Sequence, residues 1–168
     1  MKTIIKSIAT RHQPRMKIIP IVVATLGGIV AIIALVFLGE ISNLPLLMAP
    51  FGATCVLLFS VPASPLSQPI NVIGGHVVST ATGMMVHAVF PSTWWALALA
   101  VGLAIGLMAL LRITHPPAGA DPIIVFIESV DLTYLLFPVA LGSVALVVVA
   151  WIVHSLSPVT IYPLRKEE

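Results

Sequence analysis

The stretch LRITHPPAGADPIIVFI, residues 111–127, holds Arg112, His115, Asp121 and three prolines within a very apolar chain. The 168 residues are 59% hydrophobic and only 8% charged, and the mean hydropathy is +1.13. A soluble domain has about a quarter of its residues charged, so this composition predicts a membrane protein. Ionisable residues inside a bilayer are costly and generally functional, which makes this stretch the first candidate for a site.

Six apolar segments divide the chain, and turn-forming residues separate them. Five approach the roughly 20 residues that a helix needs to cross a bilayer, and one is shorter. They are Ile18–Gly39, Leu44–Val61, Ile70–Phe90, Trp94–Leu111, Pro116–Ile127 and Leu135–Val153. The sequence therefore predicts an all-α polytopic membrane protein with a single membrane domain over residues 18–157, surrounded by the lipid bilayer.

Basic residues gather at the two ends of the chain, which indicates topology rather than a nucleic-acid partner. They are Lys2, Lys6, Arg11, Arg15 and Lys17 at one end and Arg165 and Lys166 at the other. The positive-inside tendency places segment 1–17 and tail 158–168 in the cytoplasm, so the number of crossings is even. Six crossings, or four with two re-entrant segments, both satisfy this. We expect a multi-pass protein of the bacterial inner membrane whose first span is not cleaved.

The two halves of the membrane domain share a short repeated motif. At an offset of 67 residues, PFGATCVLLF (50–59) aligns with PAGADPIIVF (117–126), with proline, glycine, alanine and phenylalanine matched in place. Each copy lies between longer apolar spans, so residues 18–90 and 94–157 form pseudo-symmetric halves of long span, short broken or re-entrant helix, and long span. Interrupted segments in corresponding places are typical of the binding site of a transporter.

The motif also predicts where each short helix begins and what it can bind. Proline suits the first helical turn, so Pro50 and the pair Pro116 and Pro117 should start helices that are too short to span the bilayer. A helix that begins inside the membrane offers backbone N–H donors and a positive dipole end to a small anion. The predicted substrate-binding set is Gly52, Ala53, Thr54, Arg112, Thr114, His115, Gly119 and Ala120.

These motifs resemble those of a known family. The string THPPAGADP (114–122), with APFGAT (49–54) and the pair Gly75-His76, is similar to the HPP integral membrane family, named for the His-Pro-Pro triplet. The resemblance implies four membrane spans and, because some members are linked to nitrite transport, a nitrite-like monovalent anion as the substrate. The residues alone indicate only a small anion, with no cofactor and no catalytic residue.

Three polar residues leave alternatives open. His76, His115 and Asp121 are predicted to line the pathway or to handle protons, and Asp121, which would repel an anion, should pair with Arg112 or His115 or exchange a proton. The rival hypothesis is an intramembrane metal-binding protein or enzyme that uses His76, His115 and Asp121. No local ligand spacing supports a metal, so we expect none and expect no enzyme. Arg112 has the alternative role of an interfacial anchor.

Small residues recur every four positions on two spans, at Ala98, Gly102 and Gly106 and at Gly75, Ser79 and Gly83. Such faces let helices approach closely, within one protomer or between protomers. A homo-oligomer is compatible with this pattern.

Overall fold

Six α-helices form the protein in a computed structural model, which describes residues 10–164. They are α1 (Ile18–Ser42), α2 (Pro50–Ser60), α3 (Pro69–Val89), α4 (Trp94–Leu110), α5 (Asp121–Glu128) and α6 (Leu141–Ser155). Two 3-10 segments, Pro65–Ser67 and Pro116–Ala120, precede α3 and α5, and a π-helical segment, Leu135–Ala140, leads directly into α6. The described residues contain no strand, so the prediction of an all-α protein is confirmed.

The apolar helices fit a membrane. Three of them are long and apolar enough to cross a bilayer: α1, α3 and the continuous stretch Leu135–Ser155. α4 and α2 are apolar but shorter, at 17 and 11 residues. Large apolar side chains such as Phe37 and Trp151 are exposed on the outside of the bundle, where lipid replaces water as the favourable contact. The protein is therefore a multi-pass membrane protein.

Prolines explain where the second half departs from uninterrupted helix. Pro122 has no N–H to donate, and the segment predicted as one helix over 116–127 divides into a 3-10 turn and the eight-residue α5. Pro138 interrupts the start of the last span in the same way, where the chain adopts the wider π-helical turn.

One end of the bundle gathers the linker 61–68 and the end of α6. Leu164 donates its backbone N–H to Oε1 of Gln68 at 2.8 Å, and Nε2 of His154 donates to the carbonyl of Leu58 at 2.9 Å. The start of α1 lies at this end too, because Ile19 lines a groove with Val153 to Pro158. The start of α1 and the last described residue, Leu164, therefore lie at the same end.

The opposite end gathers the linkers 43–49 and 129–134 and the end of α3. The hydroxyl of Tyr134 donates to Sδ of Met48 at 3.7 Å, and the rings of His87 and Phe126 are 4.8 Å apart. The chain before each short helix and the chain after it therefore lie at opposite ends of the bundle.

Two glycines place the long helices against the short segments in the same way. A Cβ on Gly75 would lie 2.6 Å from Cβ of His115 and 3.2 Å from the carbonyl oxygen of Ile113. A Cβ on Gly142 would lie 2.5 Å from the ring of Phe51 and 2.7 Å from the carbonyl oxygen of Leu46. Gly142 is equivalent to Gly75, and Ile113 is equivalent to Leu46, at the offset of 67 residues. In each half, a glycine of a long helix therefore packs against the equivalent carbonyl of the other half.

The two predicted faces of small residues have different surroundings. Gly83, like Gly75, is buried, and a Cβ on Gly83 would lie 2.8 Å from Pro122. This face of α3 therefore packs within the protomer, which was one of the two predicted possibilities. Gly102 and Gly106 are exposed, with open space where a Cβ would stand. The homo-oligomer stays a prediction.

Topology relative to the cytoplasm also stays a prediction. Arg11, Arg15 and Lys17 are exposed just before α1. The other basic residues on which the prediction rests, Lys2, Lys6, Arg165 and Lys166, lie outside the described residues.

Candidate functional site

The centre of the bundle holds one imidazole between the two copies of the repeated motif. Nε2 of His76 lies 2.8 Å from Oγ1 of Thr54, and Nδ1 of His76 lies 2.8 Å from Oδ2 of Asp121. Thr54 and Asp121 are equivalent positions at the offset of 67 residues. All three side chains have no exposed surface. The two motif copies therefore meet through the ring of His76, which α3 carries between them.

His115 extends this buried network toward the end of the bundle where the chain begins. Its Nε2 lies 3.0 Å from Oγ1 of Thr54, and its Nδ1 donates to the carbonyl of Leu66 at 2.8 Å. The rings of His76 and His115 are 5.0 Å apart. A continuous line of hydrogen bonds thus runs from Leu66 through His115, Thr54 and His76 to Asp121.

Other polar side chains of α3 hold the second short segment in place. Thr80 donates to Oδ2 of Asp121 at 3.3 Å, Ser79 donates to the carbonyl of Ala118 at 2.6 Å, and Asn71 donates to the carbonyl of Thr114 at 3.0 Å. Sequence reasoning assigned Ser79 only to packing and gave Thr80 no role. Their positions in the sequence could have indicated this role, because residues three and four positions after His76 lie on the same face of the helix as His76.

Asp121 pairs with His76, so the expected pairing with Arg112 or His115 is wrong. Arg112 adopts a left-handed turn, with φ of 60°, and lies exposed at the end of α4. Nδ1 of His115 is held by the carbonyl of Leu66, and its Nε2 faces Thr54. The partner of Asp121 comes instead from α3, a helix that is distant in sequence.

Gly52 and Ala53 lie away from the network. Successive residues of a helix are turned by about 100°, so Gly52 points roughly 200° from Thr54. Gly52 is exposed and lines a cavity of about 280 Å³ between α1 and α2. Its N–H donates to the carbonyl of Ala49 at 3.2 Å, within its own turn.

The second helical start is less exposed than the first. The 3-10 segment begins at Pro116 with Pro117 next, as α2 begins at Pro50. Gly119 and Ala120 are half-buried, and a Cβ on Gly119 would meet open space. Thr114 is also half-buried, with its carbonyl bonded to Asn71. The structure thus brings together Thr54, His76, His115 and Asp121, and leaves Gly52, Ala53 and Arg112 outside the network.

The ring nitrogens of this network take part in hydrogen bonds. Both nitrogens of His76 and both nitrogens of His115 have hydrogen-bond partners. Within residues 10–164 no group of three or more His, Cys, Asp or Glu side chains is placed to hold a metal ion. One buried acceptor in this network is unpaired among the described residues, Oδ1 of Asp121.

The sequence of this chain matches a known protein family. The profile of the HPP transmembrane region matches residues 13–163. The chain belongs to the HPP transmembrane family. That match spans α1 to α6 and contains the whole buried network. The family resemblance read from the motifs is therefore confirmed.

Two curated relatives come from Dictyostelium discoideum, and both are named as transmembrane proteins. One is 36% identical over 125 residues, which cover 70% of this chain and 40% of the relative. The other is 31% identical over 131 residues, which cover 73% of this chain and 46% of the relative. This chain matches less than half the length of either relative. No solved structure matches it.

Proposed function

We propose that this HPP protein transports a small monovalent anion, nitrite or one like it, along a pathway through the network at the centre of the bundle. The observation that carries the proposal is the position of His76, which is fully buried in an apolar bundle and bonded to both motif copies. A buried polar network in a membrane domain is costly to retain without a function. Binding near the middle of the membrane, where the two repeats meet, is the usual arrangement in transporters built from repeats.

The pseudo-symmetric halves are part of this proposal. Helix lengths follow the order long, short, long twice, and Gly75 and Gly142 make reciprocal contacts with the opposite half. Because the chain before each short helix and the chain after it lie at opposite ends of the bundle, we infer six crossings rather than four. Both termini then lie on one side, with Arg112 on that side as well, and the basic residues place that side in the cytoplasm of the cell.

The charge of Asp121 does not exclude an anion from this pathway. Its carboxyl group is bonded to His76, and a second proton on this pair, carried by the other nitrogen of His76 or by the carboxyl group, makes the pair neutral overall. Thr54 and His115 contribute a hydroxyl and an imidazole beside it. Gly119 and Ala120 contribute the half-buried helical start of the second copy, whereas Gly52 is exposed and its N–H is bonded to Ala49.

The rival function is a metal-binding protein or enzyme of the membrane, and one observation favours it. Its three residues, His76, His115 and Asp121, do lie in a single network around Thr54. A metal would have to displace Thr54 from the two imidazoles. Measurement of metal content in the purified protein separates the two functions, because a stoichiometric metal is expected only for the rival.

Uptake of labelled nitrite, nitrate, formate and chloride into proteoliposomes tests the proposal. We expect nitrite uptake well above that of protein-free liposomes, which are needed because nitrous acid crosses lipid unaided. Gly119→Leu should reduce uptake and leave the fold intact, since open space surrounds that position. Gly102→Leu, on an open face of α4, is the matched control. Uptake no faster than in protein-free liposomes for all four anions would contradict the proposal.

A further inference from the structure

We propose that Thr54 relays a proton between His115 and His76, so that the buried network moves a proton to Asp121 during transport. This inference rests on the proposed function, because it names how the same site is driven. It follows from counting donors and acceptors along the line of hydrogen bonds, in which each atom has a fixed capacity.

The first fixed point is His115. Its Nδ1 lies 2.8 Å from the carbonyl oxygen of Leu66, and a carbonyl oxygen only accepts. Nδ1 therefore carries a hydrogen. The second nitrogen, Nε2, is the one whose proton can change, and it faces Thr54 at 3.0 Å. The Leu66 carbonyl thus fixes the imidazole so that its variable nitrogen points into the network.

The second fixed point is the hydroxyl of Thr54. Its oxygen lies within hydrogen-bond distance of Nε2 of both His76 and His115, but it has a single hydrogen. It must donate to one imidazole and accept from the other, or accept from both and donate to the carbonyl of Pro50 at 3.3 Å. A hydroxyl that donates on one side and accepts on the other can pass a proton by exchanging its bonds.

The third fixed point is the pair of His76 and Asp121. Nδ1 of His76 and Oδ2 of Asp121 are 2.8 Å apart, so one proton lies between them. The hydroxyl of Thr80 donates a hydrogen bond to the same carboxylate oxygen at 3.3 Å. The other oxygen, Oδ1, is buried without a partner among the described residues. An unpaired buried acceptor is unfavourable, which makes it a suitable place for a proton or a substrate contact.

The relay step balances in atoms and charge. His115, protonated at both nitrogens, gives its Nε2 hydrogen to the Thr54 oxygen, and Thr54 gives its own hydrogen to Nε2 of His76. His76 then gives its Nδ1 hydrogen to Oδ2 of Asp121. The network begins with an imidazolium and a carboxylate and ends with two neutral imidazoles and a carboxylic acid. The hydrogen bonds join no ionisable group beyond these three in residues 10–164.

The ratio of protons to anions taken up tests the relay in proteoliposomes. A pH-sensitive dye inside the vesicles reports protons while labelled nitrite reports the anion. The native protein should show a fixed ratio, Thr54→Ser should keep it because the hydroxyl remains, and Thr54→Val should lose the proton signal relative to nitrite. A native ratio in Thr54→Val would overturn the relay.

A second measurement does not need transport. Protein labelled with 15N-histidine in nanodiscs reports which imidazole nitrogens carry hydrogen, with assignments from single replacements of His76 and His115. We expect the two rings to titrate as a coupled pair in the native protein and in Thr54→Ser, and independently in Thr54→Val. Independent titration in the native protein would overturn the relay. If the native protein takes up no nitrite, the proposed function fails, and this spectrum alone decides the relay.

Discussion

The two copies of the motif share a frame and differ in chemistry. α2 is an uninterrupted helix with the neutral Thr54 facing His76, whereas the second copy is a 3-10 turn followed by α5, with Asp121 at the equivalent position. At the same offset of 67 residues, His115 corresponds to Met48. His115 binds the carbonyl of Leu66, and the residue equivalent to Leu66 lies in the linker that contains Tyr134. The difference teaches that the second half supplies His115 and Asp121, whereas the first half supplies the hydroxyl of Thr54 and the imidazole of His76 between them.

The difference also changes the space around the two copies. The linker that precedes the second copy is held by two hydrogen bonds. Asn71 of α3 donates to the carbonyl of Thr114, and His115 donates to the carbonyl of Leu66 in the 3-10 segment that precedes α3. The linker that precedes the first copy borders a cavity of about 290 Å³, which Met48, Glu128 and Tyr134 line. The equivalent regions are thus closed at one end of the bundle and open at the other.

The largest effect, a loss of stability, is expected from substitutions that disturb the packing of the long helices against the short segments. Replacing Gly75 or Gly142 by alanine puts a Cβ within 2.6 Å and 2.5 Å of its neighbours. Overpacking of this kind costs about 1–3 kcal/mol. Similar losses in both variants would support equivalent halves.

Unfolding in mixed micelles with increasing SDS measures these free energies. Gly102→Ala is the matched control, because open space surrounds it, and alanine in a helix should gain about 0.5–1 kcal/mol. A large loss for Gly75→Ala with none for Gly142→Ala would show that the reciprocal contacts do not matter equally.

The next effect is expected from making the second copy chemically like the first. Asp121→Thr removes the carboxyl group that shares a proton with His76. Hydrogen bonds to charged groups contribute about 1.5–3 kcal/mol, so nitrite uptake should fall roughly 10- to 100-fold. Initial uptake rates at equal protein content measure the change.

Asp131→Asn is the control for Asp121→Thr, since Asp131 is exposed in a linker and its carboxylate accepts hydrogen bonds from the N–H and the hydroxyl of Thr133 in the same turn. Its uptake should match the native rate. Native uptake in Asp121→Thr would mean that the carboxyl group is not needed, and the chemical difference between the two copies would have no role in transport.

The smallest effect is expected at Arg112, whose counterpart in the first half is Pro45. Arg112 is exposed, and the charge of an exposed group contributes at most about 1 kcal/mol, so Arg112→Gln should weaken apparent nitrite affinity by no more than roughly fivefold. Concentration dependence of uptake measures it, with Lys17→Gln as the exposed control. Native affinity together with altered membrane orientation would favour the anchor role.

Much of the fold could be predicted from the sequence because bilayer thickness and hydropathy constrain it strongly. Six apolar segments became six α-helices, and Pro50 and Pro116 begin helical segments where the motif placed them. The division of the second short segment was missed, although Pro122 was visible, because a proline near a helix start can also be accommodated in its first turn.

The sequence by itself determined the solvent, the class of fold and the identity of the polar residues, since hydrophobicity and proline act locally along the chain. Only the tertiary structure decided which of those residues meet. His76 is 22 residues from Thr54 and 45 residues from Asp121 in the sequence. Their contacts depend on how α3 packs between the short segments. The pairing of Asp121 with His76 rather than with the nearer Arg112 has the same origin, because side-chain direction on a packed helix outweighs proximity in sequence.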